Sequence, residues 1–198
     1  MFAYCANDCI SNVDHGGNRY CAATSVQEED AEERSESCQH QNQISIENTL
    51  RDVTKEVFLA LTVAANEARA YVAGVKFLFG ENLVGTGIVY LHFYTLVDHE
   101  ALWDIKRAVP WETTIGTPFP GIDVPVKFLN GVATPEGIGN YAYGFLGYAY
   151  GIPIEHLIGG SYYAADFPTK GSALTNELGD WYFIFMGYAN AQAVIEGG

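Results

Sequence analysis

The stretch SIENTLRDVTKEVFLALTVAANEARAYVAG, residues 45–74, decides the fold. Its apolar positions Ile46, Leu50, Val53, Val57, Leu61, Ala64, Ala68 and Tyr71 follow one another at intervals of three or four. That spacing lays one apolar stripe along an α-helix, because residues three and four apart share a face. Ser45 is the expected N-cap, Glu47 suits the first turn, and Gly74 is the expected stop.

Working outward, a second apolar helix is expected over about residues 85–99. There Ile88, Leu91, Tyr94 or Thr95, and Val97 or Asp98 share a face, although the β-rich run of residues 88–94 would also suit a strand. Residues 107–137 carry Pro110, Pro118, Pro120, Pro125 and Pro135, with extended runs at 109–111 and 124–129, and read as short strands and turns. Two further helices are expected at about 154–165 and 176–195. The fold class is therefore α+β and predominantly helical: a long amphipathic helix plus three further helices, with a few short strands.

Upstream of the long helix the composition changes. Residues 1–43 hold Gly16-Gly17, the acids Glu28, Glu29, Asp30, Glu32, Glu33 and Glu36, and a polar run at 39–43. Such a segment offers too little apolar surface to order itself and reads as a solvated linker. The whole chain has 198 residues, 10 Lys and Arg against 24 Asp and Glu, and a formal charge of −14. Residues 1–50 and residues 51–198 each contribute −7. That balance excludes a simple basic DNA-binding module but leaves acid–base chemistry open.

Cys5, Cys9, Cys21 and Cys38 all fall in the first 38 residues. They have the residue types of a zinc site without a tight knuckle spacing, and unpaired thiols are the reading preferred. The N-terminus lacks the basic-then-apolar pattern of a signal peptide. The uncharged stretch at 137–154 is 18 residues long but contains five glycines, Asn140 and Pro153, against the roughly 20 mostly apolar residues of a membrane span. No span and no cofactor are expected.

Three places concentrate unusual residue types. Trp103-Asp104-Ile105-Lys106 puts an acid and a base two residues apart, where they can pair or pin a loop. The run from Glu136 through Asn140, Tyr141, Tyr143, Gly144, Gly147, Tyr148, Tyr150 and Gly151 is rich in glycine and tyrosine, suiting tight helix packing or a site equally. Gly179-Asp180-Trp181 places an acid at the expected start of the last helix, as N-cap or catalyst. Among the histidines, His15 and His40 lie in the linker, His92 reads as a satisfied core residue, and His156 is the best spare acid or base. Phosphate-binding glycine loops, H-E-x-x-H and G-x-S-x-G are absent.

Residues 1–18, MFAYCANDCISNVDHGGN, resemble the end of the Rhs/YD-repeat core, F-x-Y-C-x-N-N-P-V-N-x-x-D-P-x-G, with Cys9-Ile10 in place of Pro-Val and His15 in place of Pro. Residues 45–195 resemble the polymorphic toxin type 44 domain. This second resemblance rests on Phe93-Tyr94-x-x-Val97, Trp103-Asp104-x-Lys106, Gly139-Asn140-Tyr141-x-Tyr143-Gly144-x-x-Gly147-x-Ala149-x-Gly151, Gly179-Asp180 and Gly187-Tyr188. Glu136 matches an acid three residues before the Gly-Asn pair, whereas Ala142 stands where the family pattern has His. That departure implies a degenerate copy, or a role for the family's histidine other than catalysis.

The resemblance implies residues 1–18 as the end of a repeat core, 19–43 as an acidic linker and 44–198 as a toxin domain. It implies secretion or delivery into a target cell within a parent Rhs shell, a cognate immunity protein, and RNA hydrolysis. Under that reading Glu136 is the base, His156 stands in as the acid, Asp104 or Asp180 orients a partner, Lys106 offsets phosphate charge, and Asn140, Tyr143 and Trp103 bind the substrate. A peptidoglycan hydrolase of the same delivery class, or an inactive remnant that only binds a partner, are the other readings.

Overall fold

A computed structural model of the chain describes residues 50–164 and 173–197, together with two short strands near the N-terminus. The chain divides into two compact units, residues 1–50 and 51–198. In the first, β1 (Asn12–Val13) pairs antiparallel with β2 (Arg19–Tyr20). The second is built of six described helices and one hairpin, so the predominantly helical α+β class holds.

The long helix α1 spans Thr54–Phe79, starting later than expected. Arg51, Asp52 and Val53 fit the helical period, yet they run beside strand β3 (Val126–Phe128) instead. Val53 N–H donates to the Lys127 carbonyl at 3.0 Å, and Lys127 N–H donates to that of Arg51 at 2.8 Å. Val53 is buried in this extended pairing, so burial of an apolar position does not by itself select helix. The N-cap position is Val53, whose side chain makes no capping bond; Asp52 before it accepts from Thr54 N–H at 2.9 Å, while Ser45 and Glu47, the expected cap and first-turn acid, lie outside the described residues. Gly74 does not stop the helix; Gly80 does, with φ of +74°.

Helix α2 (Leu83–Val97) doubles back at once, capped by Asn82, whose Oδ1 accepts from Val84 and Gly85 N–H at 3.0 Å each. The turn needs glycine at 85, where a Cβ would stand 2.6 Å from the Gly80 carbonyl oxygen. Residues 109–111, expected to be extended, lie in helix α3 (Ala108–Thr114). Pro110 occupies its third position, where the missing N–H has no helical acceptor anyway. Trp111 beside it is fully buried and donates through Nε1 to Thr117 Oγ1 at 3.1 Å.

Strand β3 falls within the expected run at 124–129 and pairs antiparallel with β4 (Gly131–Ala133). Leu129 N–H donates to Thr54 Oγ1 at 2.8 Å, tying the hairpin to the start of α1. The glycine-tyrosine run then forms α4 (Pro135–Ala149), capped by Thr134. Helix α4 is the centre of the core: Ile138, Tyr141, Ala142, Phe145 and Leu146 are all buried. Helices α5 (Ile154–Ala164) and α6 (Ala173–Glu196) close the unit, near their expected positions.

Glycines set the α4–α6 spacing. A Cβ on Gly144 would lie 2.0 Å from the Ile184 carbonyl oxygen, and one on Gly187 would lie 2.0 Å from that of Tyr141. Each helix therefore presses its glycine against the other's backbone, a contact no side chain permits. No helix among the described residues is long and apolar enough to cross a membrane.

Candidate functional site

The eight residues singled out from sequence do not converge on one cleft: Asn140 meets Asp180, Trp103 lies beside Asp104 and lines a cavity between α1, α2 and α4, and the others have surroundings of their own. Asp104 is buried and accepts from Glu100 N–H at 2.9 Å, holding Glu100 at φ of +61°. Its ion-pair neighbour is Arg107, at 3.7 Å, rather than Lys106. Trp103 is buried beside it, its N–H donating to the Leu96 carbonyl at 2.9 Å. Asp104 and Trp103 thus pin the loop between α2 and α3. The backbone of Lys106 crosses over α4, with its N and Cβ 3.7 Å from where a Cβ of Gly139 would stand.

One residue further along α4, Asn140 Nδ2 donates to Asp180 Oδ1 at 2.7 Å. Helix α6 begins at Ala173, so Asp180 lies in its interior and is not its N-cap. Glu136 is exposed in the first turn of α4, where the helix dipole favours an acid. Tyr143 faces a different neighbour: its hydroxyl donates to the Leu157 carbonyl at 3.2 Å, and burial pushes its pKa up to about 12. His156 is exposed on α5 and pairs through Nδ1 with the Tyr90 hydroxyl at 2.5 Å. Asn140 and Asp180 meet, while Tyr143 and His156 bond to the main chain of α5 and to α2. Ala142 is fully buried, so an imidazole there would point into packed core and not into a cleft.

A more closely knit group forms where α1, α2 and the end of α4 meet, around a cavity of about 310 Å³. Glu67 and Tyr71 line it from α1, His92 from α2, and Tyr150 from the residue after α4. Tyr71 stacks on the His92 ring, centroids 3.8 Å apart and planes 15° from parallel. Tyr150 Oη lies 2.8 Å from His92 Nδ1. Burial chiefly, then the neighbouring Tyr71 and Glu67, push the Tyr150 pKa up to about 12. The phenol is therefore protonated at neutral pH. Donating to Nδ1 of a neutral imidazole, it leaves the ring proton on Nε2; toward an imidazolium it turns and accepts.

By sequence, His92 reads as a satisfied core histidine. It is satisfied, but it also lines a cavity containing a carboxylate. The available signal was the four-residue spacing of Glu67 and Tyr71, which puts both on one helical face; their meeting with His92 and Tyr150 is tertiary and leaves no local trace.

A second hollow, about 620 Å³ and open, is lined by Arg69 and Lys76 of α1, by Tyr148 and Tyr188, and by Glu155. Tyr148 donates to the Glu196 carboxylate there, and that bond pushes its pKa up to about 12. Lys76 is already paired with Glu81 at 2.9 Å. Among the described residues no group of three or more His, Cys, Asp and Glu side chains is placed to hold a metal ion. The four cysteines, His15, His40 and the acidic linker lie outside the described residues. Comparison with protein-family models, with curated proteins and with solved structures finds no match to this chain.

Proposed function

We propose that residues 51–198 form a hydrolytic toxin domain acting on RNA, with its acid–base pair in the cavity between α1, α2 and α4. The observation that carries this reading is that Glu67, His92 and Tyr150, from three separate helical segments, line one cavity, with Tyr71 stacked on the imidazole. A concave site with a few convergent polar groups is where small-molecule chemistry is concentrated.

RNA cleavage without a cofactor needs a base and an acid. Glu67 takes the proton of the 2′-hydroxyl, the 2′-oxygen attacks phosphorus, and the 5′-oxygen leaves with a proton from His92. The products are a 2′,3′-cyclic phosphate and a 5′-hydroxyl. In this step His92 acts as the imidazolium, its Nδ1–H donating to Tyr150 Oη while Tyr71 fixes the ring plane, so the Nε2 proton goes to the leaving group and a neutral imidazole remains. The resemblance to the type 44 toxins supports the toxin class, delivery within an Rhs shell and neutralisation by an immunity protein. In this reading Trp103 is part of the cavity lining, Asp104, Asn140 and Asp180 maintain the architecture, and Glu136, Lys106, Tyr143 and His156 stand apart from the reacting atoms.

One observation favours a second substrate. The cavity lining contains no Lys or Arg, so an uncharged glycan would enter it with less electrostatic cost than a polyanion. Peptidoglycan cleavage, however, ordinarily uses two carboxylates, and Glu67 is alone in the lining. Induced expression of the full chain in bacteria tests both. Growth arrest with loss of intact RNA supports the proposal; soluble muropeptides from purified sacculi, with RNA intact, transfer it to the glycan. Harmless expression of the native chain contradicts both.

A further inference from the structure

The turn between α1 and α2 carries the most exposed apolar side chains described. Phe77 and Leu83 are each 88% exposed and Leu78 is 72% exposed, with Phe79 and Val84 beside them. They cluster at one end of a helical hairpin. Val75, Gly85 and Val89 are buried within the same hairpin, so the outward residues are surplus to its own packing.

The same region carries no net charge. Between Ala70 and Val97 the sequence has one Lys and one Glu, and these two pair with each other, Lys76 Nζ to Glu81 Oε1, at 2.9 Å. The tip is electrically neutral on a unit that carries −7 overall. Side chains open on nearly every side protrude and do not line a groove. A rigid protein partner would need a matching concavity, whereas a lipid surface accepts a projecting apolar tip without one.

We propose that the α1–α2 tip inserts into the surface of a zwitterionic lipid bilayer, entering one leaflet without crossing it. This proposal is independent of the catalytic reading. Insertion to about 5–10 Å would take in the turn and the first one or two turns of each helix. Tyr94, eleven residues beyond Leu83 and exposed, would lie about 16 Å up the helix, at headgroup level, where tyrosine is favoured. The unit's net negative charge selects a zwitterionic surface over an anionic one, by repulsion of anionic headgroups.

The test is co-sedimentation of the full chain with phosphatidylcholine vesicles and with vesicles containing phosphatidylglycerol. Expected is binding to phosphatidylcholine that is insensitive to salt and weakened by phosphatidylglycerol at low salt. The double variant Phe77→Asp/Leu83→Asp should bind roughly tenfold or more weakly with unchanged helicity, since both side chains are solvent-exposed. Val109→Asp, an exposed apolar residue on α3, should bind as the native chain does. Equal binding by the double variant, or no binding of the native chain at any lipid concentration, overturns the proposal. A lipid-free dimer abolished by the same double variant, without vesicle binding, also overturns it and gives the face to a second copy of the chain.

Discussion

Ala142 and Gly144 show how differently two small residues in one helix can be used. Ala142 is fully buried, and its neighbours on α4 include the core residues Tyr141 and Phe145. Introducing the histidine of the family pattern puts a larger, polar ring into close-packed surroundings. Ala142→His should cost about 2–4 kcal/mol and add no activity to that of the native chain. Gly144→Ala places a methyl carbon 2.0 Å from the Ile184 carbonyl oxygen, which forces α4 and α6 apart. It should cost at least as much, and thermal unfolding of the two variants measures both. The glycines at 144, 147 and 151 look alike in sequence, yet each does something else. Gly144 admits the α6 backbone, Gly147 admits Leu157, and Gly151 adopts φ of +71° after α4. Spacing identified a small-residue face; which element each glycine admits depends on the packed structure.

At the scale of elements, the 3–4 apolar period was legible wherever a helix buries one stripe, as in α1. It failed at residues 51–53, where a hydrogen-bonded partner 75 residues away outcompetes the local helical period. It was ambiguous in α4, which is buried on so many sides that no stripe stands out, and α3 was hidden by a proline that reads as a breaker. Helix α1 runs through Gly74 to Gly80 for a reason open to measurement. Gly74 is exposed inside the helix with nothing within 4 Å of a Cβ, so Gly74→Ala removes only the entropic cost of glycine. It should stabilise the protein by about 0.5–1 kcal/mol. Gly85→Ala, which meets the Gly80 carbonyl at 2.6 Å, should destabilise it. Urea unfolding of the pair distinguishes a glycine that the hairpin requires from one that it tolerates.

For the whole molecule, tyrosine burial sets the response to alkali. Tyr143 and Tyr150 ionise near 10 when unfolded and near 12 when folded. Their neutral forms contribute stability that is fully present below about pH 10 and lost as pH rises toward 12. Unfolding free energy should therefore fall steeply between pH 10 and 12, and Tyr143→Phe should make the fall shallower; denaturant titrations across that range check it. Over the neutral range Tyr150 keeps its proton, so it positions His92 without itself titrating. The candidate site was only partly legible for the same reason as the fold: the Gly-Asn-Tyr run pointed to α4, but Glu67, His92 and Tyr150 come together only through the crossing of three segments. The most direct test is to incubate the purified full chain with total RNA and analyse the ends formed. Expected are fragments ending in 2′,3′-cyclic phosphate, with the rate reduced about 10²–10⁴-fold in Glu67→Gln and in His92→Gln while unfolding stability stays near native. Intact RNA at enzyme excess, or full activity in both variants, would contradict the assignment of the acid–base pair to this cavity.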